Sequence, residues 1–217
     1  MRGSRTNNGV VSGEAGFSLI EMIIVVAILL ILAGMALPNF MQMVARARLQ
    51  SSAHQITGLT IHARMLGSAN FSRTMVSYDT TSSLFKTYIR GYGVTAWSES
   101  VPNMRLGLPT GVTIAVPSGA YAPSGTGNGT TAAVLCYTEV FNSRGYPIYD
   151  STAVSAGYNL CTTAATTQSD GVMRVSDQNV FYLKNSTGYM AVSVGNSGKT
   201  TTYMWSPSNS SWVLFGK

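Results

Sequence analysis

The longest hydrophobic stretch of the chain lies near its start. Almost every side chain from residue 17 to residue 37 is apolar, and residues 22–45 contain no charged side chain. At about 1.5 Å of rise per residue, a helix over residues 17–37 is roughly 30 Å long, which matches the hydrocarbon core of a bilayer. The pattern therefore predicts a membrane-spanning helix over residues 17–38.

After Pro38 the apolar positions become one-sided. They recur at alternating spacings of four and three, the period of an amphipathic helix, at Ala45, Leu49, Ser52, Ile56, Leu59, Ala63 and Leu66. We expect the helix to continue over residues 39–67, to pack on a globular domain through this stripe, and to stop near Gly67. Pro38 should bend the helix or locally open its hydrogen bonding near the membrane surface.

From residue 71 onward, short β-branched and aromatic runs alternate with turn residues. They predict strands over residues 74–78, 84–90, 112–116, 133–141, 172–175, 180–184, 189–194 and 200–205. Residues 117–131 are rich in Gly, Ser and Pro and predict a long surface loop. The predicted fold class is α+β: a long N-terminal helix, half membrane-buried and half amphipathic, packed on an antiparallel β-rich domain over residues 68–217.

A single acidic residue interrupts the apolar run. Glu21 is the fourth residue after Phe17. A charge at the bilayer centre costs about 3 kcal/mol, so an acid here needs an interfacial position or a partner. A free amine at the start of the helix is such a partner, and the first helical turn also favours a carboxylate.

The residues around Glu21 form a recognisable pattern: Gly16, Phe17, Ser18, Leu19, Ile20 and Glu21, followed by the apolar run. This pattern resembles the prepilin signature of type IV pilins and type II secretion pseudopilins. The resemblance implies that residues 1–16 are a leader, that a prepilin peptidase cuts between Gly16 and Phe17, and that the new N-terminal Phe17 is methylated. It also implies that Glu21 pairs with the N-terminal amine of a neighbouring subunit. Pro38 matches a helix-kinking proline common in that family.

The same resemblance implies the partners and the location. The partners are other pilin or pseudopilin subunits, the prepilin peptidase, the inner-membrane assembly platform and the membrane itself. The implied protein crosses the inner membrane once, with its C-terminal domain outside the cytoplasm, before it enters a pilus or a periplasmic pseudopilus. Residues 139–147 and 189–201 further resemble the strand-turn-strand and C-terminal hairpin of the minor-pilin subgroup called GspH/FimT, with Lys199 where an arginine is expected.

The N-terminus also fits two alternative kinds of segment. In an ordinary secretory signal, Arg2 and Arg5 form the basic region and cleavage follows Ala36. In an uncleaved anchor, the segment only holds a binding domain at the membrane. Neither alternative accounts for Glu21. The positive-inside rule does not decide orientation, because basic residues flank both ends of the segment.

Composition agrees with an extracytoplasmic domain. Charged residues make up only 10% of the chain, and the net charge of +6 is mild and scattered. Cys136 and Cys161 can form a disulfide in such a compartment, and closing that loop would contribute about 3 kcal/mol. Two free buried thiols are the alternative.

No catalytic arrangement is visible in the sequence. The two histidines, His54 and His62, lie eight residues apart without further ligands at metal-binding spacing. Residues 193–200 end like a phosphate-binding loop but lack its first glycine and precede a predicted strand. We therefore expect neither an enzyme nor a cofactor nor a metal site.

DNA binding is a further alternative within the pilin interpretation, because certain minor pilins bind DNA. It would use aromatic side chains near Lys86, Arg90 and Arg105. We favour instead the interpretation that the aromatic side chains belong to the core and that the charges are solvated on the surface.

Overall fold

The computed structural model describes residues 16–100, 104–123, 133, 135–159, 179–195 and 197–216. The chain divides into two compact units, residues 1–41 and residues 42–217. The first unit contributes the apolar half of the N-terminal helix, and the second contains the amphipathic half and the strands of the described residues. The architecture is the predicted α+β, pilin-like one.

The N-terminal helix α1 runs over Leu19–Ala69 and has 51 residues. Within it, an 18-residue window has a mean hydropathy of 2.9 and no buried residue, so α1 is long and apolar enough to cross a membrane. Pro38 lies inside α1, which is helical on both sides of it. The bend at Pro38 stays a prediction.

The second half of α1 buries the predicted stripe. Leu49, Ser52, Ile56, Leu59 and Ala63 are buried, whereas Ala45 and Leu66 are half-buried. The apolar members of the stripe share one core with side chains of both sheets, among them Val76, Phe85, Phe141, Phe181, Leu183 and Val192. The amphipathic half of the helix is thus the central element of the globular unit.

The C-terminal end of α1 differs from the prediction. The helix passes the expected stop at Gly67 and ends at Ala69. The residue in the left-handed conformation that closes it is Phe71, with φ 50°, and Ser72 N donates to Gly67 O at 3.0 Å. Gly67 instead serves close packing, because a Cβ there would lie 3.0 Å from Thr74 Oγ1.

The first sheet is antiparallel. It contains β1 Arg73–Asp79, β2 Leu84–Arg90, β3 Ser98–Glu99, β4 Leu106–Gly107 and β6 Thr138–Phe141. The order is β3-β2-β1-β6, with β4 also paired to β2. Val76 in β1 stands between Thr87 of β2 and Glu139 of β6. These three side chains therefore lie in one row on one face of the sheet.

The second sheet is also antiparallel. It contains β5 Thr113–Ile114, β7 Val180–Asn185, β8 Gly188–Val194, β9 Thr200–Ser206 and β10 Ser211–Leu214. The order is β10-β9-β8-β7-β5. Between β6 and β7 the chain forms a short helix, α2, over Ser151–Ser155, with Asp150 as its N-cap.

The predicted strands match the structure where they are long. The predictions over residues 74–78, 84–90, 180–184, 189–194 and 200–205 are confirmed within one residue at each end. The prediction over 112–116 is too long, since β5 covers only Thr113–Ile114. The prediction over 133–141 is too long because Ala133 N and Tyr137 N donate to loop carbonyls of Ala120 and Asn159 instead of joining a ladder. The predicted strand 172–175 and residues 124–131 of the predicted loop lie outside the described residues.

Glu139 is an unusual core residue. Its side chain is 0% exposed, and neither carboxylate oxygen has a hydrogen-bond partner among the described residues. It lies on the same face of β6 as Phe141, which belongs to the core shared with α1. The buried hydroxyls of Thr60 and Thr87 also lack partners in this part of the chain. Burial raises the pKa of the Glu139 carboxyl well above its ordinary value.

We expect Glu139→Gln to change how stability depends on pH. The folded pKa of Glu139 lies above its unfolded value. The contribution of this carboxyl group to the free energy of unfolding is therefore fully present below the unfolded pKa and is lost as pH rises through the folded pKa. The glutamine variant lacks this loss, so its stability relative to wild type should rise with pH between the unfolded and the folded pKa of Glu139, by at most about 1.4 kcal/mol for each pH unit. Urea unfolding of the full-length protein in detergent, followed by tryptophan fluorescence, measures the gain. Parallel pH curves for the two proteins would contradict the prediction.

Candidate processing and assembly segment

The predicted cleavage position lies just before the start of α1. Gly16, Phe17 and Ser18 are not helical, and Met22 N donates to Ser18 O at 3.2 Å. The Phe17 side chain is 78% exposed. The bond between Gly16 and Phe17 therefore lies outside the helical hydrogen bonding of α1.

Glu21 lies in the first turn of α1. A carboxylate in the first turn is favoured, because the first backbone N–H groups of a helix have no acceptor within it. No ion pair to Glu21 occurs among the described residues. An ionic partner for this carboxylate would therefore come from outside that part of the chain, as pairing with a neighbouring amine requires.

One cysteine of the predicted disulfide lies among the described residues. Cys136 is buried and is not a free thiol. Its expected partner, Cys161, lies outside the described residues, so the pairing of the two remains a prediction.

Of the two stretches that resemble the GspH/FimT subgroup, the later one forms the expected hairpin and the earlier one forms only part of the expected strand-turn-strand. Residues 139–147 form the end of β6 and a turn, but the returning strand is reduced to a single bridge between Phe141 and Pro147. Residues 189–195 and 197–201 lie in the hairpin of β8 and β9, where Gly195 N donates to Lys199 O at 2.8 Å. The subgroup itself rests on the resemblance alone.

Arg64 joins these two stretches, which the sequence did not predict. Its Nε donates to Gly145 O at 2.8 Å, and its Nη1 donates to Gly198 O. Both glycines have positive φ, and a Cβ on Gly198 would lie 2.6 Å from Gly145 O. Nothing in the helical pattern distinguishes Arg64 from the other arginines of α1, so only the packing of the two turns against α1 reveals its role.

A second unpredicted network centres on Asp150. This residue is 2% exposed and accepts hydrogen bonds from Arg73 Nη1 and Arg90 Nη2, each at 2.8 Å. It also caps α2 by accepting from Thr152 N at 2.9 Å. Burial alone would raise the pKa of Asp150, but hydrogen bonds from Thr152 and Arg73 and the charge of Arg90 hold that pKa below its ordinary value.

The residues considered for DNA binding are engaged within the domain. Lys86 pairs with Asp79, Arg105 with Glu99, and Arg90 with Asp150, each at 2.8 Å. Several of the aromatic rings pack on one another, as Trp205 does on Trp212 at a centroid distance of 5.1 Å. The structure thus does not present these three cations as a free basic surface.

The residues considered for metal or nucleotide binding lie in ordinary structural positions. His54 contacts Phe215 edge to face at 5.9 Å, and residues 200–206 form strand β9 where a phosphate-binding loop needs a helix. Within the described ranges, no group of three or more metal-ligating side chains converges.

Comparison with known protein families supports the interpretation of the N-terminus. Residues 11–37 match the family model described as the prokaryotic N-terminal methylation motif. The chain carries a type IV prepilin-like signal. The matched range includes the cleavage position, Phe17 and Glu21, and supports a pilin-like protein that is processed by a prepilin peptidase and assembles with pilin subunits. Neither the curated proteins nor the solved structures contain a significant match to the chain.

Proposed function

We propose that this protein is a structural subunit, and specifically a minor one, of a type IV pilus or a type II secretion filament. The observation that carries the proposal is the methylation motif over residues 11–37, because it begins before the non-helical cleavage position and ends inside an apolar helix of spanning length. The stretches that resemble GspH/FimT favour a minor subunit. We propose no catalytic activity for it.

The N-terminal half of α1 would act first as a membrane anchor and then as the part of the subunit that packs inside the filament. Before assembly, residues 17–38 hold the subunit in the inner membrane, with the β-rich domain outside the cytoplasm. In the filament, the same segments bundle together and exchange lipid contacts for helix contacts. Lipid tails are as apolar as leucine, so hydrophobicity alone does not drive that exchange. An ionic pair between Glu21 and the N-terminal amine of a neighbour supplies the register.

The proposal predicts a defined mature N-terminus. The protein isolated from its native membrane should begin at Phe17 and be one methyl group heavier than the mass calculated for residues 17–217. Intact-mass spectrometry with N-terminal sequencing measures both. A chain that begins at Leu37 would instead identify an exported protein with an ordinary signal, and a chain that keeps residues 1–16 would identify an uncleaved anchor.

A further inference from the structure

A cavity of about 650 Å³ opens on the globular unit where three loops meet. These loops are the end of α1, the segment after β2 and the turn after β6. The side chains that matter for its chemistry are Phe71, Arg73, Arg90, Tyr92 and Arg144. The cavity is large enough for several side chains of a ligand.

The cavity carries an excess of positive charge. Arg73 and Arg90 share the single carboxylate of Asp150. Arg144 has no carboxylate partner among the described residues. Its guanidinium is therefore available for a bidentate contact with an external carboxylate.

Two aromatic side chains are exposed beside this charge. Phe71 is 84% exposed, although it occupies the left-handed backbone conformation that closes α1. A bulky residue in that conformation costs about 1–2 kcal/mol where glycine would cost little, so fold stability does not account for phenylalanine here. Tyr92, between two glycines, is fully exposed. Exposed aromatic residues beside arginine are the types enriched at the centres of protein–protein interfaces.

Among the residues that the structure describes, a second copy of this chain offers little to neutralise the cavity; Asp170 and Asp177 lie outside them. In the described part of residues 42–217, the acidic residues are Asp79, Glu99, Glu139 and Asp150. Three of them are engaged in internal ion pairs, and Glu139 is fully buried. Six basic residues of the same region have no carboxylate partner there: Arg46, Arg48, Arg64, Arg144, Lys184 and Lys199. Charge complementarity therefore points to a different, acidic molecule.

We propose that this cavity binds an acidic segment of a different protein. A carboxylate of that segment binds Arg144, and an apolar side chain beside it packs against Phe71 and Tyr92. Nucleic acid fits less well, because binding a phosphate backbone needs several free cations in a row and the cavity has one. The inference rests on the proposed function only in taking the partner to be another component of the same filament.

The test uses the full-length protein in a zwitterionic detergent and a fluorescein-labelled peptide in which glutamate alternates with leucine. Fluorescence anisotropy at low salt measures the dissociation constant. Arg144→Glu should weaken binding at least about tenfold. Lys184→Glu is the matched control: it makes the same change in charge at an exposed position outside the cavity, and should weaken binding less than about twofold. A peptide with glutamine in place of glutamate should not bind.

Phe71→Gly separates binding from folding. Its thermal midpoint should be unchanged or higher, because glycine favours the left-handed conformation, while its affinity for the acidic peptide falls about fivefold. A lower midpoint with unchanged affinity would overturn the role of Phe71 in binding.

Three results would overturn the proposal. The first is an equal loss of peptide affinity in Arg144→Glu and Lys184→Glu, and the second is that the wild-type protein does not bind the acidic peptide. The third is that the wild-type protein binds a single-stranded oligothymidylate more tightly than the acidic peptide, and that Arg144→Glu loses this binding. The last result would assign the cavity to nucleic acid. None of them affects the mass measured for the mature N-terminus, so this inference and the proposed function fail separately.

Discussion

Glu21→Ala and Glu21→Leu are expected to leave cleavage between Gly16 and Phe17 intact but to reduce incorporation into filaments at least about tenfold. The physical reason is the position of Glu21 in the first turn of an apolar helix, without an ion-pair partner in the described part of the chain. A carboxylate in that setting is costly unless a cation approaches it. A tenfold loss corresponds to about 1.4 kcal/mol, which a single ionic contact in a low-dielectric environment supplies.

Two measurements on the same cells decide the outcome. Mass spectrometry of the membrane fraction reports processing, and quantitative immunoblotting of sheared filaments reports incorporation. Glu21→Gln is the matched control for size and hydrogen bonding, because it removes only the charge, and it should assemble as poorly as Glu21→Ala. Normal incorporation of Glu21→Leu would exclude ionic pairing as the source of register. Loss of cleavage in all three variants would move the role of Glu21 to the peptidase step.

The N-terminal segment was predictable because its constraints are local. The length of residues 17–37 follows from bilayer thickness, and Glu21 stands out because it is the one charged residue in that segment. The stripe of α1 was predictable for a similar reason, since a helix that packs along one side repeats its apolar positions every three to four residues. The strands β1, β2, β7, β8 and β9 have six or seven residues each, which is long enough for an enrichment in β-branched and aromatic residues to be recognised in the sequence.

The short elements were missed because they are too short to carry a pattern. β3 and β4 have two residues each, β10 has four, and α2 has five. A strand of two residues shows no alternation, and a helix of five residues completes little more than one turn. The predicted end of α1 is too early because glycine commonly caps a helix, whereas Gly67 packs against Thr74 and a phenylalanine closes the helix.

The side-chain networks were unpredictable for a different reason. Asp150 meets Arg73 and Arg90, which lie 77 and 60 residues before it in the sequence. Arg64 meets carbonyl groups 81 and 134 residues after it. Such contacts follow from strand register and from how turns pack on α1, neither of which one sequence specifies. The cavity beside Arg144 depends on the same packing.

Asp150→Ala should destabilise the globular unit by about 4 kcal/mol. The substitution leaves the Arg90 guanidinium, whose side chain is only 10% exposed, without its carboxylate. It also removes the N-cap of α2 and the contact to Arg73. Urea unfolding followed by tryptophan fluorescence reports the loss, since Trp97, Trp205 and Trp212 all lie in this unit.

Asp79→Ala is the control for removing an ion-paired carboxylate. The Asp79 side chain is 32% exposed and pairs with Lys86 within the same hairpin. It also accepts from Thr81 N at 2.9 Å and Ser82 Oγ at 2.8 Å in the turn, so its removal should destabilise the unit, but clearly less than Asp150→Ala does. Asp150→Asn should fall between wild type and Asp150→Ala, because the amide oxygen can still cap α2 but carries no charge. Equal unfolding curves for Asp79→Ala and Asp150→Ala would show that the Asp150 network does not hold the domain together.

The Asp150 network should also make the domain sensitive to acid. Because the folded pKa of Asp150 lies below its ordinary value of 3.8, its contribution to stability is present above that value and is lost as pH falls through the folded pKa. The stability difference between wild type and Asp150→Asn should therefore be constant at neutral pH and shrink below about pH 4. The opposite trend is expected of Glu139, whose pKa is raised. Comparing the stability of wild type with that of Asp150→Asn and Glu139→Gln at low and neutral pH thus assigns each trend to one carboxyl group. If the stability difference between wild type and Asp150→Asn stays constant below about pH 4, Asp150 is excluded as the acid-sensitive group.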